Sequence, residues 1–185
     1  MDGNVQSDLV RFYSGAGPDH RGRYLKDIQQ WSDDRLEAVH DYIQWLFPLP
    51  EPSAFNVAAP VLTSTSIEQF RAEPELQQKL RASFLRMMNF YGFELHSGEK
   101  ITVTRAADFA ARSRVWLSAE NHNHLRITRI LRSLTLLGLE AEATAFFDCL
   151  SEIYRDEQKE PFAAISEETM FYWREAATRP TGQAR

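Results

Sequence analysis

Apolar side chains recur along most of this chain at the three- and four-residue spacing that is typical of amphipathic helices. One apolar stripe runs over 36–46, follows the capping residue Ser32 and ends before Pro48, so it predicts a single helix there. Shorter helices are expected over 9–13 and 24–30. Further helices are expected over 64–71, 74–91, 106–117, 124–137, 140–158 and 166–177.

Two segments interrupt the helical pattern. The first is a proline-rich segment over 48–60, hereafter the strap, which we expect to lie extended across the helices. The second is 93–105, where the alternation of Ile101 and Val103 permits either a short hairpin or a plain loop. The strap contains Pro48, Pro50, Pro52 and Pro60, and its expected apolar contacts are Leu49, Phe55 and Val57.

The length of 185 residues and the hydrophobic content of 43% suit one domain with a full core. Together with the helical pattern they predict an all-α fold, an irregular single-domain bundle of about six to eight helices crossed by the strap. We expect the domain to cover 1–178 and a disordered tail to cover 179–185. No internal repeat or low-complexity tract divides the chain further.

Cysteine and hydropathy patterns bear on the compartment. Cys149 is the only cysteine, so no intramolecular disulfide can form, and its apolar neighbours favour a small buried hydrophobe. The first ten residues are polar and acidic, unlike a signal peptide, and no apolar run approaches the roughly 20 residues that a bilayer requires. We therefore expect a soluble protein of the cytoplasm, with the nucleus as a further location in a eukaryote.

The charge is distributed unevenly along the chain. The net charge of -5 argues against general adhesion to nucleic acid or anionic membrane. Residues 100–133 nevertheless carry seven basic side chains and two acidic ones, and arginines outnumber lysines 17 to 4. Arginine suits both buried ion pairs and the binding of anions. The arginines of this segment therefore pair with acidic residues of the same chain or bind an anionic ligand.

The predicted helix over 124–137 carries the candidate anion site. One of its faces is apolar and the opposite face is a row of arginines, while its amino end offers free amides and a positive dipole. These groups could hold a phosphate or carboxylate, and nucleic acid is a possible but less favoured partner. The candidate anion-binding residues are His122, Asn123, His124, Arg126, Arg129 and Arg132.

Metal and catalytic chemistry find little support in the sequence. His122 and His124 could share a metal ion, but no third ligand has a recognisable spacing, so capping or packing is the favoured role. No nucleophile elbow, phosphate-binding glycine loop, Cys-x-x-Cys pair or dinucleotide fingerprint occurs. We therefore predict a protein that is not an enzyme and has no metal site and no cofactor.

A groove between the strap and the helix over 32–47 is the candidate binding site. Trp45 lies opposite the apolar stripe of that helix, so either the strap covers it or it forms part of a binding surface. We predict that His40, Tyr42, Trp45 and Phe55 line a groove that accepts a peptide or a protein segment.

A long run of residues resembles a known family. It comprises DDRLEAVHDYIQWLFPL at 33–49, followed by EPS at 51–53 and SFLRMMNFYG at 83–92. These segments closely resemble the conserved region of the opioid growth factor receptor family, and the resemblance extends from about residue 12 into 121–139. It implies an intracellular receptor for the peptide enkephalin that has no seven-helix membrane fold. The family contributes no ligand residues, so the candidate sites depend on the physical argument alone.

Overall fold

The computed structural model describes residues 7–53, 56–159 and 163–178. The predicted disordered tail over 179–185 lies outside these residues, as does Phe55 of the strap. Contacts within the chain group it into two compact units, Met1–Ser83 and Phe84–Arg185. The single-domain organisation stays a prediction, and the two units are described separately below.

The first unit is helical and has an aromatic core. Phe12 and Tyr13 of the first helix are buried, and Phe12 meets Trp45 edge to face at 5.2 Å between ring centroids. Tyr13 packs in the same way on Phe70 at 4.8 Å, and its hydroxyl donates to the carbonyl of Leu46. The helices that begin in this unit are α1 (Asp8–Ser14), α2 (Leu25–Gln29), α3 (Asp33–Ala38), α4 (Ile43–Leu46), α5 (Ser64–Ala72) and α6 (Pro74–Tyr91). The residues of α6 from Phe84 onward belong to the second unit.

The prediction of one helix between Ser32 and Pro48 is wrong, because the chain leaves the helix at Val39. Val39 has extended angles (φ -99°, ψ 132°), and helical structure resumes only at Ile43. Tertiary contacts replace the missing helical hydrogen bonds. The Tyr42 hydroxyl donates to the Leu36 carbonyl at 3.1 Å, and the Asn56 amide donates to the Asp41 carbonyl at 3.3 Å.

The strap is fixed at both of its ends. Leu49 and Val61 form an isolated parallel bridge, in which the Leu62 N–H donates to the Leu49 carbonyl at 3.0 Å. The expected role of Val57 as an apolar contact is wrong, since this residue is 99% exposed. It lies in a local turn at which the Asn56 side chain accepts from the Ala58 N–H at 3.1 Å.

The second unit contains a hairpin, so the all-α prediction holds only in its coarser form of a mainly helical chain. Strands β1 (Phe93–His96) and β2 (Thr102–Arg105) are antiparallel, with Phe93 opposite Arg105. The predicted helix over 106–117 is also wrong in extent, because only Phe109–Arg112 is α-helical and Ser113–Val115 forms a 3-10 turn. The helices of this unit are α7 (Phe109–Arg112), α8 (His122–Leu137), α9 (Glu140–Glu157) and α10 (Glu167–Thr178).

Trp116 and Trp173 are fully buried in the second unit. The Trp116 indole donates to the Tyr91 carbonyl at 3.0 Å, and the Trp173 indole donates to the His124 carbonyl at 3.1 Å. Cys149 is buried as expected, and burial together with the charge of Glu152 raises the pKa of its thiol to about 11. In the part of the chain that the structure describes, no helix combines the length and hydropathy needed to cross a bilayer.

Candidate functional site

A surface pocket of about 410 Å³ lies in the first unit and is the candidate functional site, hereafter the Trp45 pocket. This volume falls within the range of pockets that hold small ligands or single side chains. The lining of the pocket includes the turn 17–20, Trp45 and the strap residues 57–60. Two side chains of opposite charge, Asp8 and Arg11 of α1, complete the lining.

Trp45 and His20 are joined edge to edge. The indole Nε1 donates to His20 Nδ1 at 3.0 Å, and the two ring planes differ by 13° with centroids 6.0 Å apart. Nδ1 is therefore an acceptor, which places the hydrogen of the neutral imidazole on Nε2. Nε2 faces Asp41 Oδ2 at 3.5 Å. Trp45 is only 5% exposed, whereas His20 is exposed, so the hydrogen bond between them joins a buried indole to a residue at the surface.

Asp19 organises the turn that carries His20. Its side chain is fully buried, and Oδ1 accepts from the backbone N–H groups of Arg21 (2.8 Å) and Arg23 (2.9 Å). Oδ2 accepts from Arg23 Nε at 2.6 Å. The Asp19 N–H donates to the Arg23 carbonyl at 2.9 Å, which closes the turn. Buried charge is tolerated here because the carboxylate has an ionic partner and several hydrogen bonds.

Asp41 continues the same network from the break between α3 and α4. It accepts from Arg23 Nη1 at 2.8 Å and from Arg21 Nε at 2.9 Å. Burial alone raises the pKa of this carboxyl, but the hydrogen bond from Arg23 and the charges of Arg23 and Arg21 outweigh it and hold the pKa below its ordinary value of 3.8. Asp41 is therefore ionised at neutral pH and ties the turn to the segment before α4.

This network predicts a specific pH dependence of stability. A carboxyl whose pKa is lower in the folded state stabilises that state above its unfolded pKa, and the contribution disappears as pH falls through the folded value. We expect the difference in unfolding free energy between wild type and Asp41→Asn to be constant above about pH 5 and to shrink below about pH 4. Urea unfolding at a series of pH values measures it, and a difference that does not change with pH would contradict the role given to Asp41.

The predicted groove residues separate in the structure. Trp45 lines the pocket, whereas Tyr42 is fully buried, with its hydroxyl bonded to Leu36. His40 is exposed in the break after α3 and does not line the pocket, and Phe55 lies outside the described residues. Sequence reasoning missed His20, which lies between the predicted helices over 9–13 and 24–30.

Three of the candidate anion-binding residues on α8, namely Asn123, His124 and Arg126, are buried in the second unit. His124 is 6% exposed and Nε2 lies 2.9 Å from the Trp116 carbonyl, which makes Nε2 the donor; burial lowers the pKa of this ring despite that bond. The side-chain oxygen Oδ1 of Asn123 accepts from Tyr91 Oη at 3.3 Å and from Arg126 Nη1 at 3.2 Å. The structure thus brings Asn123 and Arg126 together and directs His124 elsewhere.

The amino end of α8 is already capped within the chain. Asn121 Oδ1 accepts from the Asn123 N–H at 2.9 Å. Arg126 is buried, Arg129 and Arg132 are half-buried, and His122 is exposed. Anion binding by this set stays a prediction. Burial of Arg126 and the neutral state of His124 weigh against direct contact with an anion.

The structure is that of a mainly helical protein with a surface pocket in its first unit. The model of the opioid growth factor receptor (OGFr) conserved region matches residues 5–178 of this chain. The chain belongs to the opioid growth factor receptor conserved-region family, as the resemblance of 33–49 and 83–92 predicts.

Three relatives give the scale of the similarity. The opioid growth factor receptor of Rattus norvegicus is 45% identical over 122 residues, which are 64% of this chain and 21% of that protein. The human receptor is also 45% identical over 122 residues, or 18% of its length. Opioid growth factor receptor-like protein 1 of Mus musculus is 38% identical over 146 residues, 76% of this chain and 31% of that protein. The chain thus spans less than a third of each relative, and no solved structure matches it.

Proposed function

We propose that this chain is a non-enzymatic binding domain that holds a peptide segment in the Trp45 pocket. The observation that carries the proposal is that one pocket is lined both by the paired indole and imidazole and by strap residues, of which Val57 is 99% exposed. An exposed valine beside a partly aromatic pocket suits an apolar contact with a partner.

The chemistry of the pocket favours an apolar or aromatic anchor on the peptide. Trp45 Nε1 and His20 Nδ1 satisfy each other, so neither nitrogen is free to bond a ligand, and the exposed member of the pair is His20. Pro18 and Pro60 add rigid apolar walls. Asp8 and Arg11 provide opposite charges that suit the polar backbone or charged side chains on either side of such an anchor.

The names of the relatives agree with a peptide ligand. Proteins that share this conserved region are called opioid growth factor receptors, and the family resemblance connects them with enkephalin. Enkephalin is therefore one of the two probes for the test. The other is a displayed library of random peptides, because this chain covers only a fraction of those receptors.

The test compares Val57 of the strap with Val61, which directly follows the strap. Titration of the ¹⁵N-labelled chain with enkephalin and with selected peptides should shift the indole N–H signal of Trp45. Val57→Glu places a charge in the pocket lining and should weaken binding about tenfold or more, because a buried valine contact is worth about 1.5–3 kcal/mol. Val61→Glu is the matched control, since Val61 is 45% exposed and lies outside the lining.

The contrary outcomes are distinct. If neither probe shifts the Trp45 signal, the pocket is not a peptide site. If a peptide binds and both substitutions weaken it equally, the binding surface is not the Trp45 pocket. If a library peptide binds and enkephalin does not, the pocket is a peptide site whose ligand is not enkephalin.

A further inference from the structure

A second surface lies between α9 and α10 in the second unit and has no role in the Trp45 pocket. It surrounds a cavity of about 500 Å³ and is hereafter the α9–α10 face. Met170, which is buried, and Tyr154 supply its apolar part. Its charged side chains are Asp148, Glu152 and Arg155 of α9 and Arg174 of α10.

These four charges are not neutralised locally. Among the residues that the structure describes, none of the four takes part in an ion pair, although two acids and two bases line the same cavity. Asp148 and Glu152 are also four residues apart on a helix, a spacing at which like charges repel. Neighbouring Asp156 differs, since it pairs with Arg105 at 2.5 Å and with Lys159 at 3.0 Å.

The order of residues along α9 makes this face complementary to itself. Asp148, Ser151, Glu152 and Arg155 follow the i, i+3, i+4, i+7 spacing of one helix face. When two such helices meet antiparallel about a two-fold axis between positions 151 and 152, each Asp148 lies opposite an Arg155. Each Ser151 then lies opposite a Glu152, and its hydroxyl, which donates to the Phe147 carbonyl at 2.8 Å, puts no second charge at that contact. A two-fold axis forms every contact twice.

We propose that the α9–α10 face is the interface of a homodimer, with a second copy of this chain as its partner. Phe171 adds the apolar contact that exposed ion pairs alone do not supply. It is 56% exposed, contacts Tyr172 with ring centroids 5.7 Å apart, and precedes Arg174 by three residues on α10, so the two share one side of that helix.

Sedimentation velocity of the full chain at increasing concentration tests the dimer. The wild type should show a reversible shift from monomer to dimer. Added salt should weaken the dimer, because exposed ion pairs are screened. A wild type that stays monomeric at the highest soluble concentration overturns the proposal.

Charge exchange tests the arrangement of the two copies. Asp148→Arg replaces two attractive pairs by two repulsive ones and should raise the dimer dissociation constant about tenfold or more, as should Arg155→Asp. The double variant that carries both changes restores opposite charges at both contacts and should return the constant to within about threefold of wild type. Circular dichroism checks that every variant keeps the wild-type helix content.

Each remaining result is also decisive. A dimer that neither single change weakens uses a different surface and overturns the proposal. A double variant that stays as weak as the single ones overturns the antiparallel arrangement, because the two residues then do not face each other. The Trp45 indole signal with a bound peptide is a separate readout in the other unit, so the dimer and the proposed function can fail independently.

Discussion

Asp19→Ala should lower the free energy of unfolding by about 3–5 kcal/mol and abolish binding in the Trp45 pocket. The substitution removes the acceptor of the Arg21 and Arg23 backbone N–H groups and the closest ionic partner of the Arg23 guanidinium. Arg23 Nη2 is already buried without a hydrogen bond, so the loss leaves the guanidinium still less satisfied. His20 would then lose the turn that presents it to Trp45.

Urea unfolding and peptide titration together measure this effect. Asp34→Ala is the matched control, because Asp34 is exposed in the first turn of α3 and should cost less than about 1 kcal/mol. Asp19→Asn keeps the size of the side chain and should fall between the two. If Asp19→Ala costs no more than Asp34→Ala, the buried carboxylate does not organise the turn.

Trp116→Ala should destabilise the second unit by about 3–5 kcal/mol, the usual cost of deleting a buried aromatic side chain. The ring is fully buried and contacts Phe93, Phe109 and Tyr91 with ring centroids 5.7–6.3 Å apart. Its indole N–H also satisfies the Tyr91 carbonyl. The cavity would lie beside His124, whose ring centroid is 6.5 Å from that of Trp116.

Thermal and urea unfolding of Trp116→Ala should be compared with Leu125→Ala. Leu125 is 68% exposed on α8, and alanine is a good helix former, so this control should change stability by less than about 0.5 kcal/mol. Hydrogen exchange of the α8 amides gives a second measurement. Faster exchange there in Trp116→Ala is expected, and unchanged protection would show that Trp116 does not support the start of α8.

The long helices of the second unit could be predicted from the sequence because their signals are local. Asn121 and Gly138 bound α8 as a cap and a left-handed stop, and both effects act within a few residues. The first and last residues of the predicted helices over 124–137 and 140–158 therefore lie within two residues of the first and last residues of α8 and α9. For 93–105 the sequence pattern does not distinguish a hairpin from a loop, because β1 and β2 have only four residues each.

The break between α3 and α4 could not be predicted in this way. The apolar spacing from Leu36 to Leu46 satisfies a continuous helix, and the partners that end it are distant in sequence. Asn56 binds the Asp41 carbonyl, and Arg23 binds the Asp41 carboxylate. The periodicity of one segment contains no information about such distant contacts. The apolar stripe therefore predicts a continuous helix, although the chain bends between Ala38 and Ile43.

The same limit explains the partial prediction of the site. Trp45 was singled out because it faces away from the apolar stripe, which is a local property. Its partner His20 lies 25 residues earlier, and the pairing depends on the Asp19 turn and on the break at Asp41. Nearness in sequence to Trp45 predicts that Tyr42 lines the groove, but the bend places Tyr42 in the core.

The buried Cys149 makes selective labelling of this protein straightforward. Burial raises the pKa of this thiol to about 11, so little of it is ionised at pH 7, and thiol-specific dyes react with the ionised form. Since this is the only cysteine in the chain, an introduced Val57→Cys would carry a fluorophore at a single defined position without prior removal of the native thiol. The fluorescence of that dye would report whether a ligand occupies the pocket near Val57. The rest of the chain, including Cys149, would keep its wild-type sequence.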